Sequence, residues 1–328
     1  MIPFSILDLA PIAQGSDAGR ALRNALDLAR LGERLGYNRF WMAEHHSMAG
    51  IASAATAVAL AYVGAGTSNI RIGAGGVMLP NHAPLTIAEQ FGTLEALFPG
   101  RVDLGLGRAP GTDRAAAQAL RRTLASDEND FPRDVLELQD YLGDAVPGRH
   151  VRAIPGEGSK VPLWILGSSL FGAQLAAMLG LPYAFASHFA PGLMMEAIAL
   201  YRDRFQPSAQ LDRPYVMLGY NAFAADSQDE AELLATSLMQ AFVNLRTGNP
   251  GQLPPPQPGY LESLPPSGAA MLEQVLSCSA IGTGQVVRDR IQAFVDRTGA
   301  DELMITSQIF DPKARLRSYE IVAEAVEQ

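Results

Sequence analysis

Cysteine is almost missing from this chain: Cys278 stands alone among 328 residues, so no intrachain disulfide can form and no oxidising compartment is required. No apolar run approaches the roughly 20 residues of a membrane span, and Met1 to Ala10 lack the charged start and extended apolar core of a secretory signal. Basic charge is scarce as well. Against 34 Asp and Glu there are 25 Lys and Arg, a net −9 without long blocks of either sign, whereas nucleic acids and anionic membranes recruit clustered cations. The GxxxxGK[ST] loop and a GxGxxG after the first strand are both absent. A soluble, cytoplasmic protein is expected.

What the chain does have is alternation. Hydrophobic residues make up 48% and charged residues 18%, enough for a large core. Short apolar runs closed by Gly, Ser, Asn or Pro alternate with segments of helical spacing, such as Leu28, Leu31 and Leu35 before Gly36, or Ile87, Phe91 and Leu94 before Pro99. That order implies a parallel sheet. Strands are expected at 2–9, 39–44, 71–79, 102–107, 162–167, 183–188, 215–223 and 302–309. Eight strands, each followed by a helix, predict an α/β fold: a (β/α)8 TIM barrel spanning 1–328 as one domain. Two stretches break the pattern, 109–130 after the fourth strand and the Pro-rich 246–268 after the seventh. Proline lacks a donor N–H and fixes φ, so the second cannot be a regular helix or central strand. Both are candidate loops over the active-site mouth, with a surface excursion or an oligomer contact as the other reading of the Pro-rich one.

In such barrels the chemistry sits at the C-terminal strand ends. The second strand ends in Glu44, His45, His46 and Ser47. Adjacent residues on an extended segment point to opposite sides, so one His alone can face the mouth. A structural hydrogen-bonding pair and a general acid/base or substrate-orienting His both stay open. A metal site is disfavoured, because the HEXXH spacing is absent and His82, His150 and His188 stand isolated. The third strand carries Gly73, Gly75 and Gly76, which suits either the close approach of a flat ring or relief of crowding inside the barrel. The fourth ends in Gly107 and Arg108, and the fifth in Gly167, Ser168 and Ser169 before a helix. Free N–H groups, hydroxyls and a helix dipole make that turn a candidate phosphate site, and a guanidinium on the neighbouring strand end suits phosphate oxygens. Ser is also an ordinary N-cap.

The stretches WMAEHHS, GGVMLPNHAPLTIAEQFGTLEALFPGRVDLGLGRAPG and ILGSS…LAAMLGLPYAFASHF together resemble the bacterial luciferase-like flavin-dependent monooxygenase family, in its branch of short single-chain oxidoreductases of unassigned substrate. The resemblance runs from the first strand to the terminal ELMITSQIFDPKARLRSYEIVAEA. It implies an FMN-binding homodimer that uses O2 and reduced flavin supplied by a separate flavin reductase. It further implies a phosphate held by Arg108, Ser168 and Ser169, a non-prolyl cis peptide at Gly75–Gly76, and a catalytic His45, with His46 and Glu44 in supporting contacts. The cofactor-binding set so implied is Gly75, Gly76, Gly107, Arg108, Gly167, Ser168, Ser169, Leu170, Phe171 and Ser187, without a metal. One departure stands out: luciferase α subunits carry a reactive Cys where this chain has Gly107, which argues against light emission and long-chain aldehyde chemistry. The competing functions are an F420-dependent dehydrogenase on the same barrel and a flavin-binding protein without turnover.

Overall fold

The computed structural model describes residues 2–108, 116, 119–120 and 130–327. Its elements run β1 (Phe4–Asp8), α1 (Ala18–Arg34), β2 (Arg39–Met42), α2 (Thr56–Ala65), β3 (Arg71–Met78), α3 (Pro84–Leu97), β4 (Val102–Gly107), α4 (Phe131–Leu142), β5 (Leu163–Gly167), α5 (Leu170–Leu179), β6 (Tyr183–Phe185), α6 (Met194–Arg204), β7 (Val216–Ala224), α7 (Gln228–Arg246), α8 (Tyr260–Ser263), α9 (Pro266–Val275), β8 (Ser279–Gly282), α10 (Gly284–Thr298), β9 (Glu302–Thr306) and α11 (Pro312–Glu327).

Local chemistry explains the elements. The five residues of β1, FSILD, are all buried, as a strand enclosed by both barrel interior and helices must be. In α1 the Asp17 carboxylate caps the first turn by accepting from Arg20 N–H at 2.8 Å. Ala21, Ala25, Leu28 and Leu31 then form the buried stripe of that helix.

All strand pairs are parallel, and β1, β2, β3, β4, β5, β6, β7 and β9 close on one another through β6–β7 and β9–β1 pairing. This is the TIM barrel expected from the alternation, and its eight strands are the eight expected. A ninth strand, β8, was not expected. It pairs with the far end of β7, Asn221 to Ala224, above the barrel proper. Its four residues, SAIG, are too few to carry a period that marks a strand. The insertion after the seventh strand is also larger than the Pro-rich stretch: α7, α8 and α9 all belong to it, and α9 begins inside that stretch with Pro266 at its first turn, where a missing N–H costs nothing. Residues 109–130, the other expected insertion, lie outside the described residues except for 116, 119, 120 and 130. Among the described residues no helix is long and apolar enough to cross a membrane.

The barrel floor, at the N-terminal strand ends, is ionic. Arg39 donates to Asp103 at 2.7 Å and to Glu302 at 2.8 Å, Tyr215 donates to Glu302 at 2.8 Å, Trp41 to Asp103 at 3.2 Å, and the Ser5 hydroxyl to Glu302. Arg71 reaches Asp103 at 2.6 Å. Burial opposes the Arg39 charge, but the two carboxylates more than offset that and hold it protonated. The Arg39 guanidinium also lies 4.8 Å from the Trp164 ring centre.

Candidate active site

At the opposite end, β4 and β5 finish side by side, with Gly107 opposite Leu166, so Arg108 emerges next to Gly167. Ser169 takes the N-cap position of α5 in an extended conformation but makes no capping side-chain hydrogen bond, and Ser168 is exposed. The first turn of α5 therefore keeps its donors open, with no acidic side chain there. The Arg108 guanidinium stacks over Phe171 at 4.2 Å, which orients it toward that turn. The Ser169 carbonyl accepts from the Tyr183 hydroxyl at 3.1 Å, fixing the turn onto β6. A Cβ on Gly107 would meet nothing nearer than the Val77 carbonyl at 3.8 Å, so space does not demand glycine there.

The Gly75–Gly76 peptide is cis, as the resemblance implies. A Cβ on Gly73 or Gly76 would come within 2.7 Å of the Asp103 or Gly105 carbonyl on β4. Relief of crowding thus accounts for these two. Gly75 is crowded by side chains instead, a Cβ there falling 2.8 Å from Leu7 and 3.0 Å from Trp41, and it lines a hollow in the barrel mouth.

Beyond β2, Glu44 and His46 meet, while His45 between them is half-buried. His46 Nε2 lies 2.6 Å and His82 Nε2 2.7 Å from the same carboxylate oxygen, Oε1, and the Met78 N–H donates to Oε2 at 3.2 Å. His82, which its place in the sequence leaves isolated, is therefore a partner of Glu44. An ionised carboxylate only accepts, so both rings present N–H at Nε2. Burial pushes the Glu44 carboxyl up, yet the donors from His82, His46 and Met78 outweigh it and hold it below the usual carboxylate range. The three side chains form a set of the kind that can ligate a metal ion, but two nitrogens on one oxygen at hydrogen-bond distance satisfy the carboxylate without one. The cluster ties the end of β2 to the Gly76–His82 turn, where Glu44 N–H also donates to the Gly76 carbonyl at 3.4 Å.

The hollow, about 50 Å³ and open to solvent on one side, lies between Leu7, Trp41, Gly75, Leu166, Met217 and Met304. One imidazole enters it. His188 lines the cavity, packed so closely on β7 that a Cβ at Gly219 would fall 2.0 Å from its Nδ1. That Nδ1 is buried without a partner among the described residues, and burial, reinforced by the nearby His45, pushes the ring down to about 4. Ser187 next to it is fully buried, its hydroxyl donating to the Gly219 carbonyl at 2.7 Å; it fastens the β6 loop to β7.

Residues 2–302 match the family model of the luciferase-like monooxygenases. The chain belongs to that family. A luciferase-like monooxygenase of Escherichia coli K12 is 54% identical over 327 residues, covering 100% of this chain and 98% of the relative. The structure is also similar to that of apo-MsnO8, with a TM-score of 0.92 and 36% identity over 100% and 99% of the two chains. At 17% identity and a TM-score of 0.73, the oxygenating constituent of 3,6-diketocamphane monooxygenase of Pseudomonas putida in complex with FMN shares the fold over 98% and 97% of the chains.

In this luciferase-like monooxygenase the segment after β7 crosses the mouth. Leu253 pairs with Ala13 in the loop after β1, through Gln14 N–H to Leu253 O and Leu253 N–H to Ile12 O, both 2.9 Å. Gly50, after β2, packs on the Gly251 carbonyl with no room for a side chain. Phe189, beside His188, meets Phe242 of α7 at 5.7 Å between ring centres. Chain from the ends of β1 and β2 thus gathers under the Pro-rich strap, and chain from the end of β6 under α7. His188, Gly219 and the Glu44–His82 contact carry no sequence motif; the one trace is a glycine in the middle of the apolar run of β7.

Proposed function

We propose that the chain is the oxygenating component of a two-component monooxygenase, which takes up reduced FMN from a separate flavin reductase and uses O2 to oxidise a small, largely apolar organic substrate. The observation that carries the reading is Arg108, stacked on Phe171 beside the uncapped start of α5: a built, unneutralised seat for a phosphate. When bound there, reduced FMN supplies the electrons for oxygen activation. Arg108, Ser168, Ser169 and the α5 N–H groups hold the phosphate, while Gly107, Gly167, Leu170 and Phe171 flank it and Gly75 and Gly76 floor the ring. Trp41, Met217 and Met304 keep the hollow apolar, and the strap through Leu253 helps to exclude water, which favours oxidation of substrate over loss of reducing power. His45 moves a proton or orients substrate at the mouth. Exposed apolar side chains on α2, Val58 at 72% and Tyr62 at 45%, and on α3, Leu97 at 60%, support a homodimer, because exposed apolar surface marks contact sites.

Titration with FMN, riboflavin and F420, followed by oxygen uptake with a flavin reductase present, tests the assignment. Tight FMN binding with weaker riboflavin binding, and substrate-dependent oxygen insertion, are expected. Binding of F420 in place of FMN, with hydride transfer and no oxygen consumption, would overturn it. FMN binding without turnover of any substrate would leave a flavin carrier. Light scattering on the eluting protein reads the dimer.

A further inference from the structure

Among the described residues that line the hollow, His188 brings the one polar side chain besides the Trp41 indole. Trp41 has already given its N–H to Asp103, and Leu7, Leu166, Met217 and Met304 bring no hydrogen-bonding groups except weak thioethers. The His188 ring has a fixed seat: its carbonyl accepts from Asn221 Nδ2 at 2.9 Å, and the preceding Ser187 hydroxyl is bound to the Gly219 carbonyl at 2.7 Å. The ring occupies the space that any side chain at 219 would need. Buried polar atoms ordinarily find partners, and Nδ1 of this ring has none within the described residues. At neutral pH the ring is uncharged, with one N–H and one lone pair. Its complement is a flat group that mixes donors and acceptors along one edge, as the pyrimidine edge of a flavin does with its carbonyls and N–H.

We propose that His188 is a cofactor-positioning residue that hydrogen-bonds the polar edge of the flavin ring, and that position 219 is glycine in order to seat it. This rests on the flavin reading above. The test compares wild type, His188→Leu, His188→Asn and Gly219→Ala, each checked for native circular dichroism, by titration with FMN and by the absorption spectrum of the bound flavin. One lost hydrogen bond corresponds to roughly a tenfold change in affinity. His188→Leu is expected to bind FMN about tenfold more weakly with a shifted spectrum, His188→Asn to recover most of both, and Gly219→Ala to resemble His188→Leu. Failure of wild type itself to bind FMN defeats the flavin reading. Wild-type binding accompanied by unchanged affinity and spectrum in His188→Leu defeats this proposal alone. Should Gly219→Ala not fold, the His188 pair still decides it.

Discussion

The two ends of the barrel treat buried polarity in opposite ways. At the floor, Arg39, Asp103, Glu302, Ser5, Tyr215 and Trp41 form a closed set in which donors meet acceptors. At the mouth, Asp8 Oδ2, His188 Nδ1, Thr306 Oγ1 and Ser307 Oγ are buried without partners among the described residues, all at or just beyond the C-terminal ends of β1, β6 and β9. The same strands supply both ends, so secondary structure does not explain the difference. A satisfied network is finished and rigid, whereas an unmet group that lines a hollow, as His188 does, can still take a ligand or water. On the function proposed above, the floor serves stability and the mouth serves binding.

That division is broken most directly at Arg39. Arg39→Met leaves the buried Glu302 carboxylate without a guanidinium, while Arg71 stays on Asp103, and stripping one partner from a buried pair costs about 3 to 5 kcal/mol. Urea unfolding should show a loss of that size; a loss under about 1 kcal/mol would mean the floor is not the stabilising end. At the mouth the opposite pattern is expected. His45→Ala should unfold like wild type and bind FMN, yet turn over at least about a hundredfold more slowly. Near-normal turnover would remove His45 from the chemistry. Arg108→Ala should weaken FMN by about 10- to 100-fold, the worth of a hydrogen bond to a charged group, while leaving riboflavin binding unchanged. Equal loss for both ligands would place the phosphate elsewhere.

The smallest effect sharpens the comparison, because Glu44 is a satisfied carboxylate at the unsatisfied end. Its folded pKa is lowered relative to an unfolded Glu near 4.3. The stability it contributes is therefore complete above about 4.3 and is lost as pH falls through the folded value. In Glu44→Gln the decline of unfolding free energy in that acid window should be shallower than in wild type. Identical slopes would show that the two imidazoles do not hold the carboxylate ionised.

The barrel was legible in the sequence because βα alternation is local: each strand run and each helix stripe can be read within its own ten or fifteen residues. β8 escaped because Ser279–Gly282 is short and followed at once by a helix. The Arg108 and Ser168–Ser169 turn could be named in advance, since strand ends next to a helix start have a recognisable composition. Glu44 and His82 are 38 residues apart and meet only because β2 and β3 are neighbours. His188 stands alone in sequence and gains meaning only against Gly219, 31 positions later, which the closure of β6 on β7 brings beneath it.

The floor also sets a clock on biosynthesis. Ser5 and Glu302 are separated by 297 positions, and Arg39, which meets Asp103 of β4 early, gains its second carboxylate only when β9 arrives. At about 5 to 20 residues per second of translation, on the order of fifteen seconds or more separates the synthesis of the first strand from that of the last. Until β9 has been synthesised β1 and β7 lack the strand that joins them, so closure of the barrel and completion of its ionic floor wait for the same late segment.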